Sequence, residues 1–126
     1  MRLRVVFTAT EREKLAVLVN NLSVFAAQLV LQSGPDFPTR ALANLAKLKG
    51  EQEDLLRRLD RLAREQSEES PLRLIEDRPH FPIDEAQILT VVRRCLLVSA
   101  FLGHLLAQPI HHEPAAEALA QEKRLH

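Results

Sequence analysis

Residues Asp84–Ala107, DEAQILTVVRRCLLVSAFLGHLLA, decide how the rest of the chain is read. Asp84 is placed to cap a helix, and Gln87 follows at the spacing of a capping box. Pro82 disfavours a helical start at Phe81. Apolar or small residues then recur at Ile88, Val92, Cys95, Ser99, Leu102 and Leu106, which is one stripe of helical period. A second stripe runs Leu89, Leu96 and Gly103, with Val91, Val98 and Leu105 beside it. Only Gln87, Thr90, Arg93, Arg94 and His104 break the apolar wrap. A helix this apolar on all sides is either central in its own domain or shared between molecules. Arg93 and Arg94 argue against a membrane span, because each would cost about 2.5–3.5 kcal/mol at mid-bilayer. The run from Cys95 to Ala107 is too short to cross alone.

Working back from this helix, residues 8–32 form a second one. Thr8 and Thr10 each have a glutamate three positions on, Glu11 and Glu13, so two capping boxes compete to start it. Its apolar set is Leu15, Leu18, Leu22, Phe25 and Leu29, with Val17, Val24 and Leu31 on the far side. The wrap is again wide for a surface helix. Asn20, Asn21 and Ser23 mark either a bend or a polar patch. Ser33–Pro38 is a stop and restart, with Gly34 suited to a left-handed cap and Asp36 or Thr39 able to cap the next helix.

Residues 39–69 are expected to form a third long helix of different character. Leu45, Leu48, Gln52, Leu55, Leu59 and Leu62 keep a heptad. Charges cover the remainder, paired at i,i+4 as Glu53/Arg57, Asp54/Arg58, Asp60/Arg64 and Arg61/Glu65. Gly50 costs roughly 1 kcal/mol against alanine and can mark a close crossing. Residues 67–82 contain Pro71, Pro79 and Pro82 and read as an ordered loop pinned by Leu72, Leu74, Ile75 and Phe81. Beyond Pro109, residues 114–124 are a short amphipathic helix or a frayed tail.

Composition narrows the function. The chain has 126 residues, one domain's worth, with 17 basic and 17 acidic residues. No net field draws it to nucleic acid or an anionic membrane. Five Phe with no Trp or Tyr leave little for base stacking or an aromatic-lined pocket. A single cysteine excludes an internal disulfide. No signal peptide opens the sequence, so the expected compartment is the cytoplasm.

Candidate chemistry is sparse. His111, His112 and Glu113 could ligate a metal with Cys95 or His104, but Cys95 and His104 face opposite sides of their helix. No Glu-x-x-His occurs on a helix, so a carboxylate-bridged metal bundle lacks its ligands. Glu51, Glu53, Asp54, Glu65, Glu68 and Glu69 raise the thought of a metal-dependent hydrolase on a helical bundle. Their basic neighbours make a solvated, charge-laced face the better account. Cys95, mid-helix and among apolar residues, reads as core packing rather than a nucleophile. Arg93 and Arg94 either lie along a wet edge, the favoured view, or meet acidic groups across a contact. No catalytic residue, cofactor or metal site is expected.

The first quarter offers an alternative. Residues 2–7, RLRVVF, alternate as a short strand does, ahead of a frayed arm as the other reading. A strand, a Thr-capped helix, a polar break at Asn20–Ser23 and a further apolar helix together resemble the ribbon-helix-helix DNA-binding family. That resemblance implies a paired strand whose Arg2 and Arg4, with Val6, read base edges. The segment departs from the family by having Asn20 or Asn21 where the turn usually carries glycine, and by its small surplus of positive charge.

The expected fold is all-α: an antiparallel helical bundle of three long helices, a short C-terminal helix and a short N-terminal strand. The long helices at 8–32 and 84–107 carry more apolar surface than a lone bundle covers. The expected function is therefore a non-enzymatic assembly, adaptor or regulatory subunit. Its partner would be a second copy or another protein, met through Leu15, Leu18, Leu22, Phe25, Leu29, Leu89, Leu96, Val98 and Leu105. DNA binding through Arg2 and Arg4 is the alternative, and metal-dependent hydrolysis ranks below it.

Overall fold

The computed structural model describes residues 6–108. Among them the chain is all-α, with five helices: α1 Ala9–Leu31, α2 Phe37–Glu51, α3 Glu53–Gln66, α4 Pro71–Glu76 and α5 Glu85–Ala107. No strand occurs among the described residues; positions 2–5 of the expected strand, and the expected helix at 114–124, lie outside them.

The competition to start α1 is won by Thr8. Its hydroxyl accepts from the Glu11 N–H at 3.1 Å, and the Glu11 carboxylate accepts from the Thr8 N–H at 2.9 Å. The helix then runs unbroken through Asn20, Asn21 and Ser23. Asn21 Nδ2 donates to the Val17 carbonyl and the Ser23 hydroxyl to the Val19 carbonyl, so these polar groups are satisfied on the helix's own backbone. The inter-helix turn required by a ribbon-helix-helix arrangement is therefore replaced by continuous helix. The left-handed cap falls on Gln32, at φ 44°, while Gly34, at φ 83°, shapes the turn beyond it.

The single helix expected over residues 39–69 is two helices. It begins earlier, at Phe37, with Pro38 in the first turn, where a missing N–H costs no bond. It bends at Gln52, whose backbone sits at φ −130°, ψ 29°. The bend sacrifices little hydrogen bonding. The Gln52 N–H still reaches the Leu48 carbonyl, and its own carbonyl accepts from Leu56. Gly50, two residues upstream, makes deformation here easier. The heptad survives the bend, since Leu45, Leu48, Gln52, Leu55 and Leu59 are all buried.

The expected loop at 67–82 contains α4, a helix too short for periodicity to reveal. Ser70 caps it, accepting from the Arg73 N–H while donating to Asp60 at 2.7 Å. Phe81 then packs edge-on against Phe37, ring centres 5.4 Å apart, and holds the remaining loop to the start of α2.

At the centre α1 packs against α5; α2 packs on α1, α4 on α5, and α3 on α2 and α4. Arg12, in the first turn of α1, donates to the Leu106 carbonyl in the last turn of α5 at 2.6 Å, so the two helices run antiparallel. The core consists of Leu15, Leu18, Leu22, Phe25 and Leu29 of α1 and Val91, Cys95, Val98, Phe101, Leu102 and Leu105 of α5, packed against the leucines of the other helices.

Candidate interaction surface

Burial cuts across the two stripes of α5: the second divides, its Val91, Val98 and Leu105 joining Cys95 and Leu102 of the first. Val91, Cys95, Val98, Leu102 and Leu105 face the core, whereas Leu89 and Leu96 stand 67% and 65% exposed. Val92, Ser99 and Leu106, one heptad apart and each half-buried, form the flank of α5 turned to α1, because Arg12 reaches the carbonyl of Leu106. The line Leu89–Leu96–Gly103 lies one residue step outside that flank and so faces away from the core beside α1.

On α1 the residues opposite the buried stripe are Ala16, Asn20, Ser23 and Ala27, all exposed. Val17, Val24, Val30 and Leu31 border them and are also exposed, Leu31 at 69%. The outer sides of α1 and α5 thus carry exposed apolar side chains, interrupted by Glu13, Asn20, Ser23 and Arg93.

Of the nine residues expected at a contact, Leu89 and Leu96 lie on this face. Leu15, Leu18, Leu22, Phe25, Leu29, Val98 and Leu105 are instead covered by the chain's own helices, each at 1% exposure or less. Sequence periodicity finds two apolar sides on each helix without ranking them; the exposed set adds Val17, Val24, Val30, Leu31 and Leu97. Arg2 and Arg4 lie outside the described residues.

The two arginines of α5 part company. Arg94 turns inward to the carboxylates of Glu69 and Asp77, tying the start of α4 and its end to α5. Arg93 is exposed and has no acidic partner among the described residues. The acidic partners expected across a contact are thus met within the chain for Arg94, whereas Arg93 lies exposed.

Cys95 is 2% exposed, and burial pushes its thiol up to about 11 against the smaller opposing pull of Arg94. A protonated thiol in an apolar core is a packing group. Among the described residues no group of three or more His, Cys, Asp or Glu side chains is arranged to hold a metal ion. A shallow hollow beside α4 and the start of α5 is lined by Asp77, His80, Asp84 and Arg94. It is open to solvent, and its Arg94–Asp77 pair is already satisfied internally. By length and composition, α1 and α5 are each apolar enough to cross a membrane.

Comparison of the chain with protein-family models, curated proteins and solved structures finds no match.

Proposed function

We propose that this protein is a non-enzymatic assembly or adaptor subunit acting through protein–protein contact at the outer face of α1 and α5. One observation carries this reading: Val17, Val24, Val30, Leu31, Leu89, Leu96 and Leu97 are exposed, while the core of the described residues forms without them. Large contiguous apolar faces on soluble proteins mark contact sites.

The energetics favour occupation. Covering those partly exposed side chains would contribute about 6–12 kcal/mol, taking roughly 1.5–3 kcal/mol for each fully buried side chain. Association costs about 4–15 kcal/mol in lost freedom. One apolar face alone is marginal against that cost, and a matching apolar face on the partner moves the balance toward binding.

Protein is favoured over lipid as the occupant by the polar groups on and around the face. Interfacial helices surround their apolar side with Lys and Arg. Here the neighbouring charges are Glu13, Lys14, Glu85 and Arg93, which balance. Asn20, at the centre of α1's outer side, would find no partner in hydrocarbon, whereas a protein surface can supply one.

The test is photo-crosslinking in cells from the full chain, with a photoreactive residue at Leu31 or Leu96 and a control at Arg57 on α3. Protein adducts from the first two positions and not the third are expected. Absence of protein adducts at both, or adducts to lipid alone, would sink the proposal.

A further inference from the structure

We infer that the occupant of this face is a second copy of the chain, packed with α5 antiparallel to α5 about a two-fold axis at Leu96, so that Leu89 of each copy seats on Gly103 of the other. The inference rests on the outer α1/α5 face being a contact surface, and it names the partner.

The pattern is self-complementary. Leu96 is the middle residue of α5, which spans Glu85–Ala107. Leu89 lies two turns before it and Gly103 two turns after it on the same line of the helix. Reversing the helix about Leu96 exchanges those two positions, bringing a large side chain onto a position without one. An isologous contact requires this property: each residue must meet its counterpart's complement under the same operation.

Among the described residues Gly103 makes no contact that requires a glycine. It sits within a helix, is exposed, and a Cβ added there meets nothing within 4 Å. Glycine weakens a helix interior, nothing among the described residues calls for one here, and close approach of another molecule would. The exposure of Leu89 and Leu96 is the independent observation that this same line is apolar and uncovered.

α1 carries a polar residue at the same level. Asn20 is the middle residue of Ala9–Leu31 and is exposed. Counted from the Arg12–Leu106 contact, it falls within a turn of the level of Leu96. An axis passing there brings the two Asn20 amides together, each with a donor and an acceptor to offer the other. A paired amide in a helix contact fixes register, as it does in coiled coils. A two-fold also covers the same apolar face twice, which an unrelated partner does only if it carries a matching face of its own.

The experiment is light scattering on the full chain over a wide concentration series, with Gly103→Leu, Leu89→Ala and the double variant. Dimer is expected for the wild-type chain. Gly103→Leu should raise the dissociation constant about 10-fold or more, with helix content and melting of the monomer unchanged or improved. Leu89→Ala in the Gly103→Leu background should recover much of the loss. In a Cys95→Ala background, Leu96→Cys should oxidise to a symmetric disulfide dimer, which also serves if Gly103→Leu fails to fold. A wild-type chain that stays monomeric throughout would overturn the inference. If position 96 still crosslinks to a different protein, the contact reading stands and only the partner changes. A dimer indifferent to Gly103→Leu that forms no Leu96→Cys disulfide would overturn it as well.

Discussion

Arg58 shows how one side chain can hold three parts of the fold. Its guanidinium bonds Glu11 at 2.7 Å and the Val6 carbonyl at 2.8 Å, and lies 4.6 Å from the centre of the Phe7 ring. The pair is partly exposed, so solvent screening limits its worth. Arg58→Ala is expected to cost about 1–2 kcal/mol in chemical denaturation, through the lost stacking and the two lost hydrogen bonds together. Arg58→Lys should restore little, because an ammonium cannot reproduce the planar fork. Glu11 adds a pH dependence. Its carboxyl is held below the ordinary 4.5, first by the Thr8 N–H and then, against the opposing effect of burial, by Arg58. The stability it contributes is present above that ordinary value and is lost as pH falls through the depressed one. Melting temperatures measured from neutral to acidic pH should drop less steeply for Glu11→Gln than for the wild-type chain. Cys95 is the contrasting case: labelling by a thiol reagent at neutral pH should proceed only as fast as the protein opens. The sequence showed Cys95 as a core residue because its neighbours at helical spacing are apolar. It could not show Arg58, whose Glu11 partner is remote in the chain and whose i,i+4 neighbour Asp54 looked sufficient.

At the scale of elements, α3 and α4 are joined by a buried polar contact rather than by apolar packing alone. Ser70 is 4% exposed and Asp60 7%, and the bond between them also orients the cap of α4. Ser70→Ala should destabilise by about 2 kcal/mol, combining a lost helix cap with a buried carboxylate deprived of a donor. Gln52 is the opposite case. Its side chain is 7% exposed, and its Oε1 has no hydrogen-bond partner among the described residues. Gln52→Leu should stabilise by about 1 kcal/mol in the same denaturation assay, since it removes an unpaired buried acceptor from an apolar seam. The capping boxes at Thr8 and Asp84 were legible because they are local in sequence and have fixed spacing. The bend at Gln52 was not, because the heptad continues through it and hydrophobic period is indifferent to helix direction. Residues 71–76 were hidden by their length, too few turns for any period to register.

The molecule as a whole separates its apolar residues into those its own fold consumes and those it leaves outside. Leu15→Ala should cost about 2–5 kcal/mol as a core cavity, whereas Leu96→Ala should leave the stability of the isolated chain within about 0.5 kcal/mol. Denaturation carried out under dilute conditions distinguishes the two. By itself, the sequence determined that the chain is helical, where its two apolar helices begin, and that they carry more apolar surface than an ordinary surface helix. These properties follow from composition, capping and period, which act over a few turns. Tertiary structure decided which side of each helix faces inward. It placed Leu15, Leu18, Leu22, Phe25 and Leu29 inside and left Leu89 and Leu96 outside. On α5 both sides are apolar, so the hydrophobic effect alone does not choose between them. The choice was made by how α2 packs on α1 and α4 on α5, and by Arg12 and Arg94 tying down the flanks of the α1–α5 pair.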